Sequence, residues 1–333
     1  MWNAPRCDLC GECLVRCLYV DYDTERAAAE IEALMEGKEA EILRACVTCC
    51  ACREYCPTDA DPYDLILRAQ ERFRAFPISE ADAAMYDLAF QISSEVIPGD
   101  DDKPALSLCV MESQIPEGAL DGRLFEGMTI VKGGDYFCLI GYVHGGMESP
   151  IERHAQAFID AIARLGKEVI FLHDDCYAMV HEKVKDYGIA VPFTYRHIFE
   201  YLRDYLRDHR GEIRKLGRKV AYQRPCASRY TPEKDALLDE IFELIGVERP
   251  RRTYERENAL CCTGPIVRID RERARDIQLK NVDDAIACGA DALVTLCPVC
   301  HRILRRPTSE RGLKEIFITD LCRMALGEKP FPD

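Results

Sequence analysis

Nineteen cysteines stand in this chain of 333 residues, and most of them fall in patterned groups. Two runs share the spacing C-x2-C-x2-C-x3-C: Cys7, Cys10, Cys13 and Cys17, then Cys46, Cys49, Cys52 and Cys56, the second followed by Pro57. Thiolates are soft ligands for iron, and loops this short let three of them meet one [4Fe-4S] cubane, while the fourth reaches the neighbouring cluster. The spacing therefore groups Cys7, Cys10, Cys13 and Cys56 on one cluster. Cys46, Cys49, Cys52 and Cys17 form the other. A pair of zinc knuckles fits less well, because zinc favours two separated C-x2-C pairs per site. Cys50 lies off the pattern and reads as a small buried residue.

A third group has a different form: Cys226, then the adjacent pair Cys261 and Cys262, then Cys297 and Cys300 in "CPVC". Thirty-five residues separate Cys226 from Cys261, and thirty-five separate Cys262 from Cys297. Five thiols exceed the one thiolate per iron that a cubane requires. Two neighbours can serve one site only if the site is large or one thiolate bridges two irons. Zinc, an ordinary cubane and plain buried cysteines are the alternatives.

An internal repeat places a fourth group. "AIARLGKEVIFLHDDCYAM" (161–179) aligns without gaps with "AIACGADALVTLCPVCHRI" (285–303), an offset of 124 residues. At that offset Cys138 falls on Cys262, Cys176 on Cys300, Phe137 on Cys261 and His173 on Cys297. Cys109 corresponds in kind to Cys226 after a shift of seven residues. The surviving set is Cys109, Cys138, His173 and Cys176. It can hold zinc or an ordinary iron–sulfur cluster, or be a decayed, empty site. Asp174 and Asp175 are candidates to support such a metal or carry protons. His144, in "GYVHGG", is either a proton donor or a loop histidine without a role. Cys288 and Cys322 read as structural.

These ligands need scaffolds. Helix formers fill "DTERAAAEIEALMEGKEAEILRA" between the two runs. An Asp-Pro pair starts a helix at "DPYDLILRAQERFRAFP" that ends at Pro77. Ser79 caps another, "SEADAAMYDLAFQISSEV", and "IPGDDDKP" reads as a linker. Beyond it strands and helices alternate twice. The first copy has strands "ALSLCV", "MTIVKGG" and "EVIFL", an amphipathic helix bearing Ile151, Ala155, Phe158, Ile162 and Leu165 on one stripe, and the closing helix "RHIFEYLRDYLRD". The second has strands "KVAYQ", "DALVTL" and "EIFITD", with helices "EKDALLDEIFELIG" and "RERARDIQLKNVDDAIACG". The expected fold is α/β. A small helical two-cluster domain (1–100) precedes two duplicated cysteine-rich lobes (101–212 and 213–333) with mainly parallel sheets. Ligands belong at the carboxyl ends of such strands, where Cys109, Cys176, Cys226, Cys297 and Cys300 fall.

The net charge of −14 argues against nucleic acid as a partner. No stretch approaches the length of a membrane span. No secretory signal precedes the cysteines, so a cytoplasmic, reducing compartment is expected, in which disulfides are a poor use of thiols. No dinucleotide-binding or P-loop fingerprint is present.

The five-cysteine pattern resembles the CCG domain of heterodisulfide reductases and their relatives. It departs in reading "CCTG", with Thr263 ahead of Gly264. A ferredoxin-like domain fused to two such domains is similar to the catalytic subunit of membrane-linked heterodisulfide reductases. It is also similar to a component of a sulfite-reduction-associated membrane complex and to iron–sulfur subunits of glycolate and lactate oxidases. The resemblance implies a noncubane [4Fe-4S] cluster on Cys226, Cys261, Cys262, Cys297 and Cys300, acting catalytically on a small disulfide or thiol. It also implies redox partners, either a flavin subunit or a membrane cytochrome or other quinone-linked subunit. In the reductases two noncubane clusters cleave the disulfide. With one lobe altered, one-sulfur chemistry is expected here, or else electron relay without catalysis between such a partner and another oxidoreductase.

Overall fold

The computed structural model describes residues 1–75 and 80–332. The expected helix stop at Pro77 and cap at Ser79 lie outside the described residues. The first part is helical. Asp23 caps the helix Thr24–Met35 by accepting the Arg26 N–H, and Asp61 likewise caps Pro62–Phe73, with the proline in the first turn. The first cysteine run, ahead of these helices, and the second, between them, are loops leading into the short helices Glu12–Val15 and Ala51–Tyr55.

Two sheets follow. The first holds β1 (Glu95–Ile97), β2 (Ala105–Cys109), β3 (Thr129–Lys132), β4 (Val169–Phe171) and β5 (Tyr195–His197) in the order β1-β3-β2-β4-β5. All pairs are parallel except β1 with β3. The second holds β6 (Arg218–Gln223), β7 (Val247–Glu248), β8 (Ala292–Thr295) and β9 (Lys314–Phe317) in the order β7-β6-β8-β9, all parallel. Without β1, the first order repeats the second strand for strand, so the duplication holds at the level of topology. The central strands β2, β4 and β8 are buried throughout, as parallel strands covered on both faces must be.

One difference from the sequence reading has a local cause. The helix expected over 79–96 stops at Asp87 and gives way to a 3-10 turn and to β1. Here the chain comes so close to Gly133, at φ +103°, that a Cβ there would stand 2.3 Å from the Ser93 carbonyl oxygen. Glycine is what lets β1 close the sheet edge. As expected, the helix Asp235–Ile245, ended by Gly246 at φ +71°, belongs to the second lobe alone; in the first, the 3-10 turns Glu112–Gln114 and Arg123–Phe125 lie between β2 and β3.

The lobes share one core. Leu106, Ile170 and Leu172 of the first pack in the same buried cluster as Val220, Val294 and Ile316 of the second, with Phe199 and Phe242 from the helices between them. A buried ion pair joins the helical part to the first lobe: Lys183 Nζ lies 3.4 Å from Asp64, and 2.8 Å from Glu148 of its own lobe.

Candidate metal and redox centre

The first two groups of thiols sit side by side in the helical part. Cys17, Cys46, Cys49 and Cys52 line one cavity, whose other walls include Leu14, Ile42 and Ile66. The thiols that raise the Cys13 pKa electrostatically are those of Cys56, Cys10 and Cys7, behind the dominant effect of burial, and together they push it up to about 12. Cys52 senses Cys46, Cys13, Cys49 and Cys17, so the two quartets adjoin through Cys13 and Cys52. Cys7, Cys10 and Cys56 remain partly exposed, whereas Cys49 is buried. Backbone N–H groups aim at the sulfurs: Thr48 N donates to Cys46 Sγ at 3.3 Å and Ala60 N to Cys56 Sγ at 3.3 Å. Such donors favour bound thiolate. Cys50, with φ +63°, turns its thiol to the Thr48 carbonyl instead.

The second lobe brings its five thiols into one buried string. Cys226 Sγ lies 3.5 Å from Cys261 Sγ. Cys262 interacts with Cys261 and Cys300, and Cys300 with Cys297. Contacts with Cys261 and then Cys300 draw the Cys262 pKa down to about 6, and contact with Cys300, then the nearby His173, draws Cys297 down to about 5, both against burial. Three loops supply the string. Cys226 follows β6, Cys297 follows β8 and caps the helix Pro298–Glu310, and the pair lies in a turn closed by Thr263. Thr263 adopts φ +69° and donates its N–H to Cys261 Sγ at 3.2 Å. A β-branched residue in this region is strained by roughly 1–3 kcal/mol. Gln278, which donates to its hydroxyl at 2.8 Å, helps hold it there. Gly264 is required for close packing, since a Cβ would meet Val299 Cγ1 at 2.9 Å.

The first lobe divides the set expected of it. Cys109, Cys138 and Cys176 form a buried triangle, their sulfurs all within 4.8 Å of one another. His173 is not a member. Its Nε2 lies 3.1 Å from Cys297 Sγ in the other lobe, because β4 delivers it to the face between the lobes. Burial alone would depress the His173 pKa, but Asp175 and then Cys297 outweigh it and push it up to about 10. Asp175 Oδ2 stands 3.6 Å from His173 Nδ1, and its Oδ1 3.8 Å from His144 Nε2. His144 Nδ1 faces the Thr48 carbonyl at 3.2 Å. A line of polar groups thus runs from the second cysteine run to Cys297. Asp174 turns the other way, accepting from Ser228 Oγ at 2.8 Å and pairing with Lys234 and His197. Cys288 donates to the Ala285 carbonyl at a helix end, and Cys322 is fully buried.

Several residues that no motif marked join the helical part to the five thiols. Tyr19 Oη accepts the Cys261 N–H at 2.7 Å. Tyr55 Oη donates to the Glu257 carbonyl at 2.8 Å, and Arg273 to that of Ala45 at 2.8 Å. Val47, Cys49, Cys226 and Cys261 belong to one buried cluster. Arg229, also fully buried, interacts with the thiols of Cys49 and Cys226, and its Nη1 has no hydrogen-bond partner. An orphaned guanidinium N–H between two thiol groups suits iron–sulfur clusters, whose anionic sulfurs would accept it.

Residues 220–305 match the family model of the cysteine-rich CCG domain. Over 152 residues the chain is 26% identical to one component of the dihydromethanophenazine:CoB–CoM heterodisulfide reductase of Methanosarcina mazei. The chain is thus similar to heterodisulfide reductases. It carries a CCG domain and the thiols that such a protein needs. The match covers 44% of this chain and 37% of the relative, so it spans little more than a third of that relative's length. A crystal structure of a hypothetical protein from Helicobacter pylori superposes with a TM-score of 0.58 at 14% identity, covering 84% of this chain and 60% of that one. That likeness speaks to fold alone. Among the described residues no helix is long and apolar enough to cross a membrane.

Proposed function

We propose that this heterodisulfide reductase-like protein is an iron–sulfur subunit of a redox complex. In it, electrons pass through two cubanes to a noncubane [4Fe-4S] cluster that reduces a disulfide or, in reverse, oxidises thiols. The observation that carries this reading is the shared burial of Cys49 with Cys226 and Cys261. The loop of the second quartet abuts the five-thiol string with no intervening layer, and the first quartet lies on the far side, partly exposed. The order surface, quartet, quartet, five thiols is that of an electron path with a partner at one end.

Cys7, Cys10, Cys13 and Cys56 would hold the first cubane and Cys46, Cys49, Cys52 and Cys17 the second. Cys226, Cys261, Cys262, Cys297 and Cys300 would hold the noncubane cluster, which when bound supplies single electrons and an iron open to a substrate sulfur. The chain's own residues do the rest. Arg229 offsets the negative charge gathered between Cys49 and Cys226. Tyr19 fixes the Cys261 amide. His173, backed by Asp175, offers an N–H toward Cys297, and His144 extends that line. Reducing a disulfide consumes two electrons and two protons and yields two thiols, so proton-bearing groups beside the terminal site are apt. The electron donor is proposed to be a flavin subunit or a membrane cytochrome or other quinone-linked subunit, with the chain held in the cytoplasm at that partner's side.

Iron and acid-labile sulfide counts on the reconstituted protein, with EPR of an oxidised, thiol-treated sample, test the reading. Three clusters and a thiol-dependent signal lost in Cys262→Ser are expected. Iron for only two clusters, or an unchanged signal in Cys262→Ser, overturns it.

A further inference from the structure

Two buried arginines meet one carboxylate at the joint between the helical part and the second lobe. Arg224 Nη1 donates to both oxygens of Glu54, at 3.0 and 2.8 Å, and Arg229 Nε stands 3.7 Å from the same carboxylate. Among the described residues neither arginine pairs with another acid. One positive charge is therefore left unbalanced in the interior, a costly state unless a negative group stands beside it. The position of Arg229 says where that group belongs. Arg229 lies in the same 3-10 turn as Cys226 (Cys226–Tyr230), and this turn packs against the helix Ala51–Tyr55, which opens two residues after Cys49. Its Nη2 donates to the Ala259 carbonyl at 2.7 Å, two residues ahead of Cys261, and so pins the guanidinium. Neither Nε nor Nη1 has a hydrogen-bond partner. The thiols of Cys49 and Cys226 both sense its charge.

We propose that Arg229 screens the centre held by the second quartet from the centre held by the five thiols, so that both can carry an added electron at the same time. The inference rests on the electron path proposed above and adds a role that the path alone does not require. Reducing a disulfide takes up two electrons and two protons and breaks one S–S bond to give two thiols. Iron–sulfur centres pass electrons singly, so one electron must wait beside the other. Two added negative charges close together in a buried site repel each other far more than they would in water. A fixed guanidinium between them, with N–H groups that the protein leaves unclaimed, lowers the energy of each charge and most of all that of the two together. Glu54 works against this screening, since its carboxylate faces Arg229. Arg224 occupies both oxygens of that carboxylate and so leaves the charge of Arg229 for the thiols.

The test is EPR-monitored redox titration of the full chain, anaerobically reconstituted with iron and sulfide, in the parent, Arg229→Met, Arg229→Lys and Glu54→Gln. In Arg229→Met the gap between the first and second electron taken up by these two centres should widen by about tenfold in the ratio of reduced to oxidised species, ~59 mV for one electron. The first quartet should titrate as in the parent. Arg229→Lys keeps the charge and should keep the parent's gap. Glu54→Gln removes the opposing carboxylate and should narrow it. An unchanged gap in Arg229→Met overturns the proposal, as does an Arg229→Lys that behaves like Arg229→Met. Should Arg229→Met not fold, an unchanged gap in Glu54→Gln overturns it instead. Iron and sulfide counted on the same samples keep the two readings apart. Three clusters with an unmoved gap sink the role of Arg229 alone, whereas iron for only two clusters overturns the electron path and this role together.

Discussion

His173 and Cys297 occupy the same place in the two copies of the repeat, 124 positions apart, and they touch: Nε2 lies 3.1 Å from Sγ. Counterparts in contact place this position of the repeat at the face between the lobes. The replacement of a thiol by an imidazole in the first lobe therefore acts on the second. The altered lobe supplies a polar neighbour to the site that its sister kept.

This contact sets the first prediction. An N–H donated to a cluster thiolate favours the reduced, more negative state, so it raises the reduction potential. In His173→Gln the terminal cluster's potential should fall by on the order of 60 mV, the one-electron equivalent of ~1.4 kcal/mol for a charge-assisted hydrogen bond. EPR-monitored redox titration reads it. Full iron content with an unmoved potential would show that the contact is only packing.

Tyr19 gives a second. Its hydroxyl is the acceptor for the buried Cys261 N–H, and Tyr19→Phe leaves that amide without a partner. The cost should be ~1–3 kcal/mol, visible in anaerobic denaturant unfolding. Reduction of the proposed terminal cluster should slow relative to the two proposed cubanes in rapid-mixing spectroscopy. Equal stability in the variant would mean that water replaces the phenol.

Much of this was legible in the chain because cysteine spacing is a local property. The two quartets need only loops of fixed length, and the offset of 124 residues paired Cys138 with Cys262 and Cys176 with Cys300 before any fold was known. The strands β2, β4, β6 and β8 announced themselves as short apolar runs. The strands β1, β5 and β7 did not, since two or three residues at a sheet edge carry no period. His173 was misplaced for a different reason. An alignment says which residues correspond, not that they share a destination within the lobe. A residue at the face between the lobes can meet its counterpart instead, and only the packing of the sheets reveals that. Tyr19, Arg229 and Arg273 had no signal at all, because their roles arise between segments far apart in the chain.

A third prediction concerns acid. His197 is fully buried, and burial, reinforced by Lys234, lowers its pKa to about 4 against an ordinary 6.5. Between these values the unfolded chain takes up a proton and the folded chain does not. Stability is therefore whole above pH 6.5 and is lost as pH falls toward 4, by up to ~3 kcal/mol. His197 Nδ1 also accepts the Phe199 N–H at the start of its helix, so asparagine is the informative replacement, as it keeps an acceptor there. His197→Asn should melt with a shallower dependence on pH across this window. A parallel curve would assign the acid sensitivity to other groups.

The last concerns the turn after the cysteine pair. A Cβ at position 264 would stand 2.9 Å from Val299 Cγ1, on the segment between Cys297 and Cys300. Gly264→Ala must shift the Val299 side chain, and should move the segment that carries it, with its two thiols, away from Cys262. Overpacking of this kind costs ~1–3 kcal/mol, and iron should be lost from the terminal site before either cubane is affected. If the clash with Val299 is the cause, Val299→Ala in the same chain removes the obstructing methyls and restores iron content. The double variant should then be more stable than the sum of the single changes allows, a coupling that a denaturation-based double-mutant cycle measures. Strict additivity would show that the distance from Val299 is not what demands glycine at 264.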